Sequence, residues 1–425
     1  MRELPVKFDS RDPAVVADPY RVYAALREAG RLARGAAGQW VVSHHQDVSR
    51  LLKDRRLGHE YPPEYHEFST GAGPANEFLK RIVLDQDAPA HTFLRGIMQR
   101  SFSPRLMRRL EEYVAEQVDR LMAEAQARAG SGGVLDVVGD LAFPLPVTVV
   151  CELIGIPDVD RDAVRPHAVE LAKAFALYVP VEERAAAHEA VTWLRTYVSA
   201  LVDERAKRPA DDLISNLLAA QRAQPDFDRE TLVDNVVFLF FAGFETTTNL
   251  ISTIFSALLQ HPEQLALLRQ RPELAVPGVE EFLRYDAPIQ ATARYVKEAV
   301  EIEGRTVRAG RILVLLLGSA NHDPARFADP GRLDITRAPN PHVSFGGGVH
   351  HCLGAALAQV EGRAVLRWLA HAPGTPTAAG AVERRPSVTF RAYRSIPVRL
   401  EPAPAGKPRP GRSPGQPTGS SLRTS

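Results

Sequence analysis

Phe345-Gly346-Gly347-Gly348-Val349-His350-His351-Cys352-Leu353-Gly354 places one of the chain's two cysteines in a glycine-rich loop just ahead of an apolar helical segment. The glycines allow left-handed backbone and a close approach to a flat ligand. Leu353, Leu357, Val360 and Leu366 then recur on one side of LGAALAQVEGRAVLRWLAH. A helix start favours anions and pushes a cysteine towards its thiolate, the form that binds metal. A thiolate held by glycines in a cysteine-poor chain suggests an iron ligand. A zinc site is a poor fit, because consecutive residues do not easily share one tetrahedral ion and no second ligand pair is evident. A phosphate loop is equally poor, since neither GxGxxG nor GxxxxGK[ST] is present. The bland alternative is a buried structural cysteine.

The 425 residues are 45% hydrophobic and 24% charged, an ordinary globular composition. Length alone suits two domains, but no Pro/Gly/Ser-rich linker interrupts residues 1–400, so one domain over residues 1–401 is equally compatible and is the expectation, with a disordered tail over 402–425, PAPAGKPRPGRSPGQPTGSSLRTS. A net charge of +1 offers no argument for nucleic acid or a membrane surface. The N-terminus MRELPVKFDSRDP has no apolar signal core, and the greasy run Val236 to Phe244 is too short to span a bilayer. Cys151 and Cys352 make a disulfide framework unlikely to be the stabilising device. The expectation is a cytoplasmic monomer.

Helices dominate the reading. Met98, Phe102, Leu106, Leu110 and Val114 recur at helical spacing within 95–129, with Pro104 dividing that stretch in two. Further helices are expected at 136–154, 160–178, 183–207, 211–223, Arg229 to Gln260, Pro262 to Gln270 and Val276 to Asp286. Strands are few: Trp40 to Ser43, Arg294–Ala299, Arg311–Leu316 and Ser395–Leu400. The fold class is mainly α with small β-sheets.

Three more stretches carry chemistry. Ala242-Gly243-Phe244-Glu245-Thr246-Thr247 puts a glycine, an acid and two threonines inside the longest helix. The glycine costs about 1 kcal/mol relative to alanine, and threonine hydroxyls compete for the i−4 carbonyl. Such an acid–alcohol pair can deliver protons into an apolar pocket; the bland reading is a surface acid on a core helix. Glu281 and Arg284 share a helix face at i, i+3, a pairing that is usually a weak exposed bridge. His91-Thr92-Phe93-Leu94-Arg95 reads alone as a basic helix start, although an arginine fork is well suited to carboxylates.

Taken in order along the chain, these motifs resemble those of the cytochrome P450 family. The Cys loop matches that family's haem-binding signature F-G-x-G-x-H-x-C-x-G, and Gly243 to Thr246 match its oxygen-activation motif. Glu281 and Arg284 match its buried structural pair. His91 and Arg95 match its H-x-x-x-R element. The likeness runs from Asp18-Pro19-Tyr20 to Ile396-Pro397-Val398 and is of the soluble bacterial type. It implies a cytochrome P450-like fold with haem b (iron protoporphyrin IX) between the long central helix and the Cys-loop helix. Cys352 is then the iron ligand. His91, Arg95, Arg294 and His350 hold the propionates, and Ala242, Gly243, Phe345, Gly346 and Gly354 contact the cofactor. Glu245 and Thr246 are the implied catalytic residues, with Arg332 as third partner of the Glu281–Arg284 pair.

The implied reaction is monooxygenation of a mainly apolar secondary metabolite such as a polyketide, macrolide, terpenoid or aromatic compound. Electrons come from NAD(P)H through a ferredoxin or flavodoxin and its reductase, with Arg100, Arg105, Arg108 and Arg109 as a candidate docking patch. Phe238, Phe241, Ile289, Ala291, Thr292 and Tyr393 are expected to line the substrate pocket, aided by Tyr61, Tyr65, Phe68, Phe175 and Tyr178. Three positions depart from common usage: Gln359 replaces an arginine, Phe244 is expected to narrow the oxygen side, and His351 carries no assigned role. A peroxide-using haem-thiolate enzyme and a catalytically silent haem-binding partner protein are the competing readings. The retained Glu245-Thr246 speaks against the first, and the retained Cys352, Thr246 and Glu281–Arg284 against the second.

Overall fold

The helix Arg229–Gln260 runs for 32 residues through the middle of the molecule and organises the rest around it. Asp228 caps its start by accepting from the Thr231 N–H at 2.6 Å, and His261-Pro262 ends it. By length and composition this helix can cross a membrane, but 83% of its apolar window is buried inside the protein. It is a core helix, buried along most of its length. This computed structural model describes residues 7–402 except 101, 103, 177, 178, 225 and 226, and leaves out the side chains of Pro104, Arg105, Asp162 and Pro402. Tyr178 and residues 403–425 of the expected tail therefore lie outside the described residues, as does the Arg105 side chain.

Two apolar clusters meet on the central helix. Its first half contributes Val236, Phe238, Phe240, Phe241 and Phe244 to one cluster. Its second half contributes Leu250, Ile251, Ile254 and Phe255 to the other. Between and beside them lies a buried polar run, Glu245, Thr247, Thr248, Asn249, Ser252 and Thr253. A polar stretch at the junction of two cores is costly unless it is used. The Cys-loop helix Ala355–His371 packs against this region, as does the helix Ala275–Tyr285.

A six-stranded sheet flanks the helices, in the order Lys7–Phe8, Ala33–Gly35, Trp40–Val42, Ile312–Leu316, Ala291–Val296, Leu57–Gly58. Ala291–Val296 and Ile312–Leu316 are antiparallel, with Thr292 opposite Leu315 and Arg294 opposite Leu313. The long helices lie close to where the sequence places them, with the break at Pro104 between Ala90–Arg100 and Pro104–Ala129. Among its described residues, however, the segment 160–178 is α-helical only over Arg161–Leu171 and tightens into a 3-10 turn at Ala172–Phe175. The segment 136–154 departs from one helix: Val138–Ala142 is a π turn that leads into Pro144–Ile154. The strand expected at Ser395–Leu400 is interrupted at Ile396. There Asp136 Oδ1 accepts the Ile396 N–H at 2.8 Å and the Ile396 carbonyl accepts from Val137. The result is two strands, Tyr393–Ser395 and Pro397–Pro402.

Candidate functional site

The Cys loop is held open by backbone geometry. Gly346 and Gly348 have φ of 69° and 67°, and a Cβ on Gly348 would stand 2.7 Å from the Leu52 carbonyl oxygen. Both positions therefore require glycine. The Cys352 N–H donates to the Phe345 carbonyl at 2.9 Å, closing the loop on itself. Gly354 caps the helix that follows, and its N–H points at the Cys352 sulfur. Cys352 is exposed, yet its thiol sits among enough protein that burial pushes its pKa above the ordinary value. The Gly354 N–H and the Arg95 charge pull the other way but do not win. The helix start and Arg95 act towards the thiolate, as the sequence expects, against a larger opposing effect of burial. A bound cation at the sulfur would deprotonate it outright.

On the central helix, Ala242 and Thr246 share one partly open face, one helical turn apart. Thr246 Oγ1 donates to the Ala242 carbonyl at 3.2 Å, and Thr247 Oγ1 to that of Gly243 at 3.3 Å. Glu245 is 2% exposed and forms an ion pair with Arg385. Asn249 Nδ2 also donates to Glu245 Oε1, at 3.3 Å. Gly243 serves packing: a Cβ there would lie 2.5 Å from Val150 Cγ2 on the neighbouring helix Pro144–Ile154. Phe244 does not narrow the oxygen side. Two residues from Thr246 it faces the opposite way, fully buried against Phe143 at 5.7 Å and Phe240 at 5.2 Å.

A basic cluster stands beside the loop. The His350 ring lies close to those of His91 and His59, with centroids 4.1 Å and 4.2 Å away. Burial, then His91 and Arg294, push the His350 pKa down to about 3. Arg294 is 5% exposed and donates to Thr292 Oγ1 at 2.9 Å and the Ala293 carbonyl at 2.8 Å. Among the described residues no carboxylate comes within ion-pair distance of it; Asp87 and Asp85 act on it only from further off and do not offset its burial. Arg95 donates to the His351 carbonyl at 2.5 Å. His350 Nε2 and His59 Nε2 are buried and unpartnered. The whole cluster asks for a negatively charged group.

Phe238, Phe241 and Ala242 meet Ile289 in one apolar cluster. Phe175 stacks on Phe241 at 4.2 Å, and Phe390 meets Phe241 edge-on at 6.2 Å. Thr292 lies on the Arg294 side of its strand. Ala291 does not line this wall: alternation along the strand turns it to the other face, where it packs with Phe8, Val15 and Tyr23. Tyr393 is also elsewhere, in the second core with its hydroxyl directed at Asp286 Oδ2 over 3.5 Å. Phe390, three residues earlier, takes the place expected of it. Tyr61 and Tyr65 stack at 4.4 Å, whereas Phe68 turns outward and is 58% exposed.

Glu281 and Arg284 form a doubly hydrogen-bonded pair, both contacts 2.8 Å and both side chains fully buried. The third partner is Arg337, whose Nε reaches Glu281 Oε2 at 3.1 Å. Arg332 offers its backbone carbonyl instead, accepting from Arg284 Nη2 at 3.1 Å. Gln359 turns inward to donate to Glu280 Oε1 at 2.7 Å. His59, Arg337, Arg385 and Phe390 are the residues that sequence reasoning missed. None sits in a local motif that marks it.

An exposed sulfur, a cluster of buried basic groups lacking an anion and an apolar wall under a buried acid describe a site for a flat, anionic, metal-bearing group. The family model described as "Cytochrome P450" matches residues 28–278 and 273–371. The vitamin D(3) 25-hydroxylase of Pseudonocardia autotrophica is 37% identical over 91% of this chain and 95% of its own. The cytochrome P450 monooxygenase PikC of Streptomyces venezuelae is 34% identical over 95% of this chain and 94% of its own. A crystal structure of P450BioI in complex with an acyl carrier protein ligated to hexadec-9Z-enoic acid superposes with a TM-score of 0.84. It is 33% identical and covers 91% of this chain and 99% of that one.

Proposed function

As the chain belongs to the cytochrome P450 family and is a monooxygenase of that family, we propose that it uses a haem held by Cys352 to oxidise a mainly apolar secondary metabolite. The observation that carries this reading is the exposed Cys352 sulfur beside Arg95, Arg294, His91 and His350, where buried imidazole and guanidinium groups lack an anion. A haem fits that chemistry: its iron suits the thiolate, and its two carboxylates suit the two arginines. When bound, it supplies the redox chemistry by which dioxygen is reduced and one oxygen atom enters the substrate.

The chain's own residues do the rest. Phe345, Gly346 and Gly354 shape the loop so that the sulfur stays uncovered. Ala242 and Gly243 keep the facing helix close. Glu245 holds a carboxylate in a buried position, and Thr246 presents a hydroxyl one residue on, so the pair can hold and pass a proton. Phe238, Phe241, Ile289 and Thr292, with Phe175 and Phe390, exclude water and favour an apolar substrate. The vitamin D(3) named for one relative and the hexadec-9Z-enoic acid carried by the acyl carrier protein in the P450BioI complex support an apolar substrate.

Electrons arrive from an external redox partner, in our reading NAD(P)H-dependent reductase and a ferredoxin or flavodoxin. Arg100 and Arg108 are exposed and suit an acidic partner; Arg109 is exposed too but already meets Asp211 at 3.1 Å. The chain is read as a cytoplasmic monomer. Cys352→Ala tests the core of the proposal. The reduced carbon monoxide complex of the parent should show the thiolate-type Soret band and the variant should not; an unchanged band removes Cys352 as the ligand.

A further inference from the structure

We propose that His59, which belongs to none of the motifs above, is a further anchor for the haem carboxylates in this chain. The inference rests on the haem-site reading. His59 is 4% exposed, and its Nε2 is buried without a partner. Its ring lies 4.2 Å from that of His350, which lies 4.1 Å from that of His91, so the three imidazoles form one cluster within electrostatic reach of Arg294.

The backbone puts it there. Gly58 pairs with Tyr295 across the sheet edge, next to Arg294, and His59 follows directly. A Cβ on Gly58 would lie 2.0 Å from Asp87 Oδ2, so a larger residue would displace the carboxylate that holds the His59 N–H. The His59 N–H donates to Asp87 Oδ1 at 3.2 Å, which fixes the residue independently of its ring.

No nearby acid serves as the missing anion. Asp87 already takes the His59 N–H and the Lys297 ammonium, the latter at 3.1 Å. Asp85, the other acid near Arg294, is driven by burial towards its neutral form. The buried Nε2 of His59 is therefore left for a ligand. Arg95 and Arg294 already supply two permanent positive charges for two carboxylates. His59 thus acts as a neutral N–H donor, a role that needs its ring nitrogen and not its charge.

The test uses purified holoenzyme. His59→Phe and His59→Leu keep apolar bulk and remove the donor, and His59→Gln restores an N–H near the Nε2 position. Haem transfer to excess apomyoglobin should be roughly tenfold faster in the Phe and Leu variants, as for loss of a hydrogen bond to a charged group. Their reduction potential should also fall, since a carboxylate less well neutralised favours the ferric state. The Gln variant should recover most of both. Parent-like rates and potentials in the Phe and Leu variants overturn the proposal, as does equal loss in all three, which would make His59 a packing residue. Arg294→Leu is measured in parallel: if it too holds haem like the parent, the error lies in the haem-site reading and not in His59 alone.

Discussion

Arg385 closes an ion pair onto Glu245 from a point 140 residues further along the chain. Glu245 is almost wholly buried, while the Arg385 side chain keeps 28% of its surface exposed. The pair therefore links an acid deep in the molecule to a group that still touches solvent. A buried carboxylate needs such a partner to stay charged, and a permanently protonated guanidinium holds and orients it without itself passing a proton.

Arg385→Gln is expected to leave haem content and KM close to the parent while lowering product formed per reductant consumed by about tenfold or more, within the span of general acid–base effects. The solvent isotope effect on turnover should rise. Arg385→Lys should retain most of the coupling. Parent-like coupling in the Gln variant would separate Arg385 from proton delivery.

The Glu281–Arg284 pair is buried on both sides, so removing either member strands a charge. Arg284→Leu and Glu281→Gln should each cost about 3–5 kcal/mol, read from urea unfolding midpoints and haem retention. Arg337→Leu should cost less, because Glu281 keeps Arg284 and the Asn340 amide at 3.0 Å.

Gly243→Ala should destabilise by about 1–3 kcal/mol, because its Cβ would lie 2.5 Å from Val150 Cγ2. Valine on a helix has little χ1 freedom with which to yield. Adding Val150→Ala to the variant should recover part of that loss. Strict additivity of the two costs would count against a direct clash.

His322 supplies a pH dependence. Burial pushes its pKa down to about 4, and its Nε2 lies 2.7 Å from the Tyr285 carbonyl. The unfolded chain binds the proton more tightly, so stability is fully present above the unfolded value of roughly 6.5 and falls as pH drops towards 4. The loss should reach at most about 3 kcal/mol. Unfolding midpoints from pH 7.5 to 4 should show a shallower fall in His322→Asn; parallel curves would mean that His322 is not the group responsible.

The motif residues were legible because each set is short-range. Four glycines, two histidines and a cysteine within ten residues describe one loop, and Glu281 and Arg284 share a face at any helical spacing. Errors arose where a side chain could face either way. Ala291 and Thr292 are neighbours on a strand, so one must leave the pocket, and the sequence does not say which. Phe244 and Tyr393 went to the core for the same reason: aromatic residues fit a pocket wall and a core equally well.

The sequence by itself determined the glycine-lined cysteine loop, the Glu245-Thr246 pair, most of the long helices and the mainly helical class, all encoded in spacings of a few residues. Tertiary structure decided which groups complete them. Arg337 for Glu281, Arg385 for Glu245 and His59 beside His350 are 56, 140 and 291 residues from their partners. Nothing in a local pattern links such distant positions. They meet only once the sheet edge, the Cys loop and the helices Arg229–Gln260 and Ala275–Tyr285 are packed together, because buried polar and charged groups need partners.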